Sequence, residues 1–227
     1  MKRFQCQACG QPLQFEDTAC PSCERPVGYL PGFETMTALE PTDAAWRALA
    51  DRGGTYRPCD NREYGVCNWL VPADAGQTRC VACRHNRMIP YLGTPDNFVR
   101  WRKIEIAKHR LMYALLRLRL PLATRAETPD GLVFDFLAAG DIPVMTGHSD
   151  GAITINITEA DDAERERVRG RTGEPLCSVI SAMKADIITG IGWCGATVPN
   201  WTRFARSSEM SGRIMRARCR STTDSVV

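Results

Sequence analysis

The sequence predicts an α+β fold in which two small four-cysteine metal-binding modules precede a domain of mixed helix and strand. Three features carry that prediction. Eight cysteines gather in two clusters before residue 84, one long run over 95–118 has helical apolar spacing, and two short β-rich runs are followed by a second helix start. The 227 residues, 44% apolar and 24% charged, suit a folded soluble chain with room for one ordinary domain plus small modules. No run of about 18 apolar residues occurs, and "MKRFQCQACG" lacks the apolar core of a secretory signal. A cytoplasmic location with no membrane association is the expectation.

The first cluster is Cys6-Gln7-Ala8-Cys9 followed, after ten residues, by Cys20-Pro21-Ser22-Cys23. A CxxC turn brings two thiolates to one ion at about 2.3 Å, and two such turns complete a tetrahedral shell, so the spacing points to Zn2+. Two disulfides would need an oxidising compartment, for which the N-terminus gives no reason. Gly10, next to the first pair, supplies the permissive backbone that such a turn favours. The second cluster is looser: Cys59, seven residues to Cys67, twelve to Cys80, then Cys80-Val81-Ala82-Cys83. Four cysteines already fill a shell here, so His85 is expected on the surface or supporting a ligand from outside. A closed shell of four thiolates has no open position; its metal folds the module and does not activate water.

Between the clusters, "EPTDAAWRALADRGG" is expected to form a short helix with Thr42 as N-cap, Gly53-Gly54 as stop, and Trp46 and Leu49 on the apolar face. The modules then occupy 1–28 and 56–92, with 29–55 a linker that carries this helix. "GTPDNFVRWRKIEIAKHRLMYALLRLRLP" opens with Thr94 in the N-cap position and Pro95 at the first helical position, and Pro121 closes it. Trp101, Ile104, Ala107, Leu111, Leu115 and Leu118 make its apolar stripe. Lys108, His109 and Arg110 are assigned to a solvated cationic face, so His109 is not expected to be a ligand. "GLVFDFL" and "GAITINI" read as short strands, with "GHSDG" a turn that carries His148 as a turn residue. "TEADDAERERVRG" starts a second helix with Thr158 as N-cap and acidic residues in the first turn.

Charge is unevenly divided. Residues 1–175 hold 22 Lys+Arg against 23 Asp+Glu, and residues 176–227 hold 7 against 3, so all of the net +3 sits in the tail. The tail's arginines form no run of five or six, which argues against a nucleic-acid-binding arm.

"FQCQACGQPLQFEDTACPSCERPVGY", "YRPCDNREYGVCNWLVPADAGQTRCVACRHNRMIPYL" and "TGHSDGAITINITEADDAERER", in that order, resemble the bacterial zinc-binding metallopeptidases that carry an N-terminal zinc ribbon. The resemblance covers residues 3–175. It implies zinc ribbons at 1–28 and 56–92 and the N-terminal part of a zincin-like domain at 93–175. An HExxH helix should follow, in which two His hold zinc from one face and the Glu takes a proton from the bound water. After Pro175 the chain instead reads "LCSVISAMKADIITGIGWCG", and no His occurs after His148.

Codon logic offers an explanation. In triplets starting one base earlier, Met183-Lys184 forces Glu, the preceding triplet can be His, and those that follow allow Ser or Gly, then Gly, His, Tyr, Tyr. Trp193-Cys194 forces Val, Asn200-Trp201 forces Leu, and Trp201-Thr202 forces Asp. A frameshift near Pro175, with 176–227 translated out of frame, is therefore expected to have removed the HExxH helix.

The reading is thus two structural Zn2+ sites, Cys6, Cys9, Cys20, Cys23 and Cys59, Cys67, Cys80, Cys83, with no catalytic residue in the chain as written. The resemblance implies peptide-bond hydrolysis, with a catalytic zinc, only for intact relatives. In the alternative reading the ribbons themselves are the working part, a binding module for protein or nucleic-acid partners. The charge balance of 1–175 favours protein or peptide.

Overall fold

The computed structural model describes residues 2–52, 54–140, 144–164 and 166–167. The expected out-of-frame tail, 176–227, lies outside them. Strands β1 (Phe4–Gln5) and β2 (Pro12–Leu13) form a minimal antiparallel hairpin around the loop that carries Cys6 and Cys9. Next comes a five-stranded antiparallel meander: β3 (Val27–Leu30), β4 (Thr35–Pro41), β5 (Trp46–Ala48), β6 (Thr55–Pro58) and β7 (Leu70–Pro72), paired in chain order. Its two edges meet. Tyr29 N donates to Asn68 O at 3.0 Å, and Tyr29 bridges Trp69 in parallel. The meander therefore curls into a small barrel, with Leu30, Leu39, Ala48 and Leu70 buried together. Gly28 is required at this closure, because a Cβ there would lie 2.8 Å from both Asn68 O and the Leu70 side chain.

The barrel replaces the helix expected at "EPTDAAWRALADRGG". Thr42 turns the chain, its Oγ1 accepting from Ala45 N at 3.2 Å while its N donates to Ala45 O at 2.9 Å. β5 then folds back along Leu39–Pro41 and pairs on its other side with β6. A helix here could bury little beyond Trp46 and Leu49. Strand pairing satisfies the backbone on two sides and buries Ala48 completely. Where a linker with a helix was expected, β3 to β6 supply barrel wall.

The second sheet has the order β10-β11-β9-β8, from β8 (Asn86–Met88), β9 (Val133–Leu137), β10 (Gly147–Ser149) and β11 (Ala152–Asn156). β8, β9 and β11 run parallel, and β10 is antiparallel to β11. "GLVFDFL" and "GAITINI" are strands as expected. His148 does not sit in the turn; it lies on β10 opposite Ile153, and the turn is Asp150-Gly151, both at positive φ (47° and 78°). The crossover from β8 to β9 contains α1 (Pro95–Arg117), preceded by Thr94 in extended conformation with Pro95 in its first turn, as the sequence implies. The second helix starts later than expected. Asn156 caps a short 3-10 turn, Ile157–Ala160, by accepting from Thr158 N at 3.1 Å, and helical backbone begins only after Asp161.

One hydrophobic core runs through both sheets. Tyr113 of α1 meets Phe4, Phe15 and Tyr29 of the N-terminal half, with ring centroids 6.4, 5.0 and 5.7 Å apart. β8, which follows Cys83 by two residues, is an edge strand of the second sheet. The packing thus continues across the expected division at residues 92 and 93.

Candidate metal centres

The first cysteine group is built from two matching turns. Cys6 N donates to Gln11 O (2.9 Å) and Gly10 N to Cys6 O (2.8 Å); likewise Cys20 N donates to Arg25 O (2.8 Å) and Glu24 N to Cys20 O (2.9 Å). The fourth residue after each leading cysteine adopts positive φ, Gly10 at 76° and Glu24 at 57°. Glycine takes that conformation freely, whereas glutamate is strained in it. The turns bring Cys6 Sγ to 3.7 Å from Cys23 Sγ and Cys9 Sγ to 3.6 Å from Cys20 Sγ. Cys6 and Cys20 are buried, Cys23 is partly covered and Cys9 is exposed. The Cys23 backbone N–H is the main reason Cys20 is lowered to about 7.

The second group, Cys59, Cys67, Cys80 and Cys83, is buried throughout. Cys67 and Cys80 sulfurs are 3.7 Å apart. Backbone donors reach two of the four: Trp69 N to Cys67 Sγ at 3.4 Å, and Cys80 N to Cys59 Sγ at 3.3 Å. Hydrogen bonds from Cys67, Cys80 and Cys83 hold Cys59 far below the ordinary thiol range, while burial pushes Cys67 well above it. Four such crowded sulfurs ionise together only if a cation sits among them.

Within each group the four sulfurs lie within 4.8 Å of one another. Tetrahedral zinc with arms of about 2.3 Å would place its sulfurs about 3.8 Å apart, which fits the 3.6–3.7 Å contacts above. A disulfide, at about 2.05 Å, does not fit. The chemistry of four thiolates suits a structural ion held in a closed shell.

α1 supplies what the sequence concealed. Lys108 and His109, expected on a solvated face, are buried, as is Glu105, with Glu105 and Lys108 at 0% exposure. His109 Nε2 lies 3.4 Å from Cys83 Sγ, and its Nδ1 donates to Glu105 O at 2.8 Å. Lys108 Nζ donates to Glu105 Oε1 at 2.6 Å and to Asn86 Oδ1. Asn86 Nδ2 in turn donates to both Glu105 oxygens at 3.1 Å. Burial opposes the charge on both Lys108 and His109. The Glu105 carboxylate outweighs it at Lys108, as the Cys83 sulfur does at His109, and both groups are raised. Cys83, Glu105 and His109 make a third group of donors within 4.8 Å. The pattern Glu-x-x-Lys-His, with spacing i, i+3, i+4, was the available sequence signal.

His85 is not on the surface. It is fully buried, its Nδ1 donates to Leu132 O at 2.8 Å, and burial pushes it down to about 4. His148 is exposed on β10. Among the described residues, neither joins a group of three metal-capable side chains, and no helix is long and apolar enough to cross a membrane.

Residues 3–94 match the family model of a zinc-ribbon domain, and residues 97–188 match that of a family described as "Putative zinc-binding metallo-peptidase". Uncharacterized proteins of Mycobacterium bovis and of two strains of Mycobacterium tuberculosis are each 34% identical over 188 residues, covering 82% of this chain and 52% of theirs. The chain spans about half the length of the curated relatives it matches. No solved structure gives a significant match. The two family matches, together with two tetrathiolate groups, identify zinc as the metal.

Proposed function

From its matches to the models of a zinc-ribbon domain and of the family described as "Putative zinc-binding metallo-peptidase", we propose that this chain is a zinc protein of that family with two structural sites and no catalytic one in the frame translated. Cys6, Cys9, Cys20 and Cys23 hold one ion; Cys59, Cys67, Cys80 and Cys83 hold the other. The observation that carries this reading is the closed sulfur shell at each site, since four thiolates leave no position for a water or a substrate oxygen. The zinc these residues hold supplies folding free energy: it fixes loops that β1, β2 and β7 are too short to fix alone.

Hydrolysis needs about three protein ligands, an open position and a base. The chain contains three histidines. His85 points a nitrogen at Leu132 O, His109 engages Cys83, and His148 lies on an exposed strand. No HExxH pattern occurs. Back-translation of the residues after Pro175 is compatible with a frameshift that removed it; the family match runs past Pro175 to residue 188, and residues 189–227 fall outside it. Peptide-bond hydrolysis is thus assigned to the intact family member, with a protein or peptide as substrate, and this chain is assigned no hydrolytic activity.

Resequencing the gene across the Pro175 codon tests the frameshift directly. A single-base difference that restores the HExxH helix should yield a chain with a third zinc, removable by 1,10-phenanthroline. An unchanged gene whose 227-residue product cleaves peptides in a zinc-dependent manner overturns the proposal.

A further inference from the structure

The cysteine turn at Cys80–Cys83 runs straight into the second sheet. Only Arg84 and His85 separate the buried Cys83 from β8, and both lie in one short 3-10 turn, Cys83–His85. Arg84 N donates to Cys80 O at 3.0 Å, so that turn is the end of the cysteine loop itself. His85, fully buried, donates from Nδ1 to Leu132 O at 2.8 Å, at the residue before β9. Asn86 follows in parallel register with Phe134, and its amide closes the buried charge pair of α1. Nδ2 donates to both Glu105 oxygens at 3.1 Å, while Oδ1 accepts from Lys108. β8 itself has three residues, an irregular register between Asn86 and Met88, and a single neighbouring strand. A strand that short does not hold its own place. Half-exposed Arg87, in its ion pair with Asp135, adds a weaker tether. The first cysteine group is joined differently: among the described residues β1 and β2 form a sheet of their own, and Phe4 and Phe15 meet α1 through the Tyr113 ring.

Resting on the assignment of zinc to Cys59, Cys67, Cys80 and Cys83, we propose that this site is a zinc-operated latch on the second sheet. With the ion bound, the Cys80–Cys83 turn is fixed, and it delivers His85 to Leu132 and Asn86 to Glu105 and Lys108. With the ion gone, the four sulfurs share no centre, the turn is released, and β8 leaves β9 together with the amide that Asn86 gives the charge pair. Glu105 and Lys108 are then short of a polar partner in an enclosed interior, so the opening spreads to β9 and α1 and does not stop at β8. The input is free Zn2+. The output is the order of a sheet whose other strands belong to the segment matching the metallopeptidase family, 97–188. The second ribbon therefore senses the metal on behalf of the half that follows it.

The test is amide hydrogen exchange of the full chain in buffers that set free zinc over several decades, on Cys20→Ser, which leaves the second site to bind the ion. Where exchange follows the opening equilibrium, peptides covering 86–88 and 133–137 should exchange about tenfold more slowly for each tenfold rise in free zinc above the site's Kd. Peptides covering β4 and β5, 35–48, should show little of that dependence. The Cys80→Ser chain should exchange fast at 86–88 and 133–137 whatever the zinc. A Cys20→Ser chain that binds one zinc but exchanges at these strands independently of it would overturn the proposal alone. So would a dependence shared equally by every peptide, since the ion would then hold the whole chain and not latch one sheet. A Cys20→Ser chain that binds no zinc would overturn the site assignment and the proposal with it. If that variant does not fold, wild type in the same buffers decides. Exchange at β8 and β9 must stay slow through loss of the first ion and rise with loss of the second; a rise with the first refutes the latch.

Discussion

Replacing Lys108 with methionine should be among the costliest single changes in the described structure that leave all eight cysteines in place. The methionine keeps most of the aliphatic stem, so packing against Phe134 and Phe136, whose ring centroids lie 5.8 Å from Nζ, is largely conserved. What is lost is the cation. Glu105 remains fully enclosed with only the Asn86 amide at 3.1 Å as a donor, and its nearest sulfur, Cys83 at 3.7 Å, is itself anionic when metal-bound. Removing one partner of such a buried pair costs about 3–5 kcal/mol, because the other charge stays desolvated and unpaired. For a chain of this size about 1 kcal/mol moves Tm by roughly 2–4 °C, so a drop on the order of 10 °C is expected. The double variant Glu105→Leu/Lys108→Met removes both charges and should recover most of that loss. Thermal and urea unfolding of zinc-loaded protein, followed by near-ultraviolet circular dichroism, supplies the assay. A single variant within about 0.5 kcal/mol of wild type, or a double variant no better than the single one, would refute the buried charge network.

The two metal sites should differ in lability. Cys9 is exposed and Cys23 partly so, whereas the second group is buried throughout, so a chelator or maleimide should strip one zinc quickly and the other only on unfolding. Equal rates of loss in a zinc-release time course would contradict that. Glu24→Gly should raise stability by about 0.5–1 kcal/mol, because the residue sits at φ 57° where its counterpart is Gly10. A decrease in the urea midpoint would count against the matched-turn geometry. Gly28→Ala should cost about 1–3 kcal/mol, since the added methyl meets the Asn68 carbonyl where the barrel closes. A neutral result would mean that β3 and β7 do not approach as described.

Much of this is legible in the sequence. Thr94-Pro95 placed the start of α1, its apolar spacing gave the length, and the CxxC turns announced the sulfur clusters. The barrel was not readable, because β5 has three residues and β6 four, too few for alternation to stand out from a helical pattern. Thr42 fits a helix cap and a tight turn equally well; only the distant pairing with β4 and β6 decides. Lys108 and His109 were missed for a different reason. The sequence reading runs the apolar stripe through Ala107 and puts Lys108 on the solvated face, whereas Trp101, Ile104, Lys108, Leu111 and Leu115 are the buried run. Its charge argues for solvent, and that expectation fails because Glu105 of the same helix is joined by Asn86 of β8 and the aromatics Phe134 and Phe136 of β9 to receive it. A lone sequence shows spacing along a helix, not what the opposing surface offers.

The central claim is that the eight clustered cysteines are two closed zinc shells in a chain without a hydrolytic centre. Native mass spectrometry of the full 227-residue chain, with zinc K-edge absorption on the same preparation, tests it most directly. Two zinc ions per chain, each surrounded by four sulfurs at about 2.3 Å with no nitrogen or oxygen ligand, is the predicted result. A metal-free chain with disulfides among Cys6, Cys9, Cys20, Cys23, Cys59, Cys67, Cys80 and Cys83, or a third zinc with nitrogen and oxygen ligands, would contradict it.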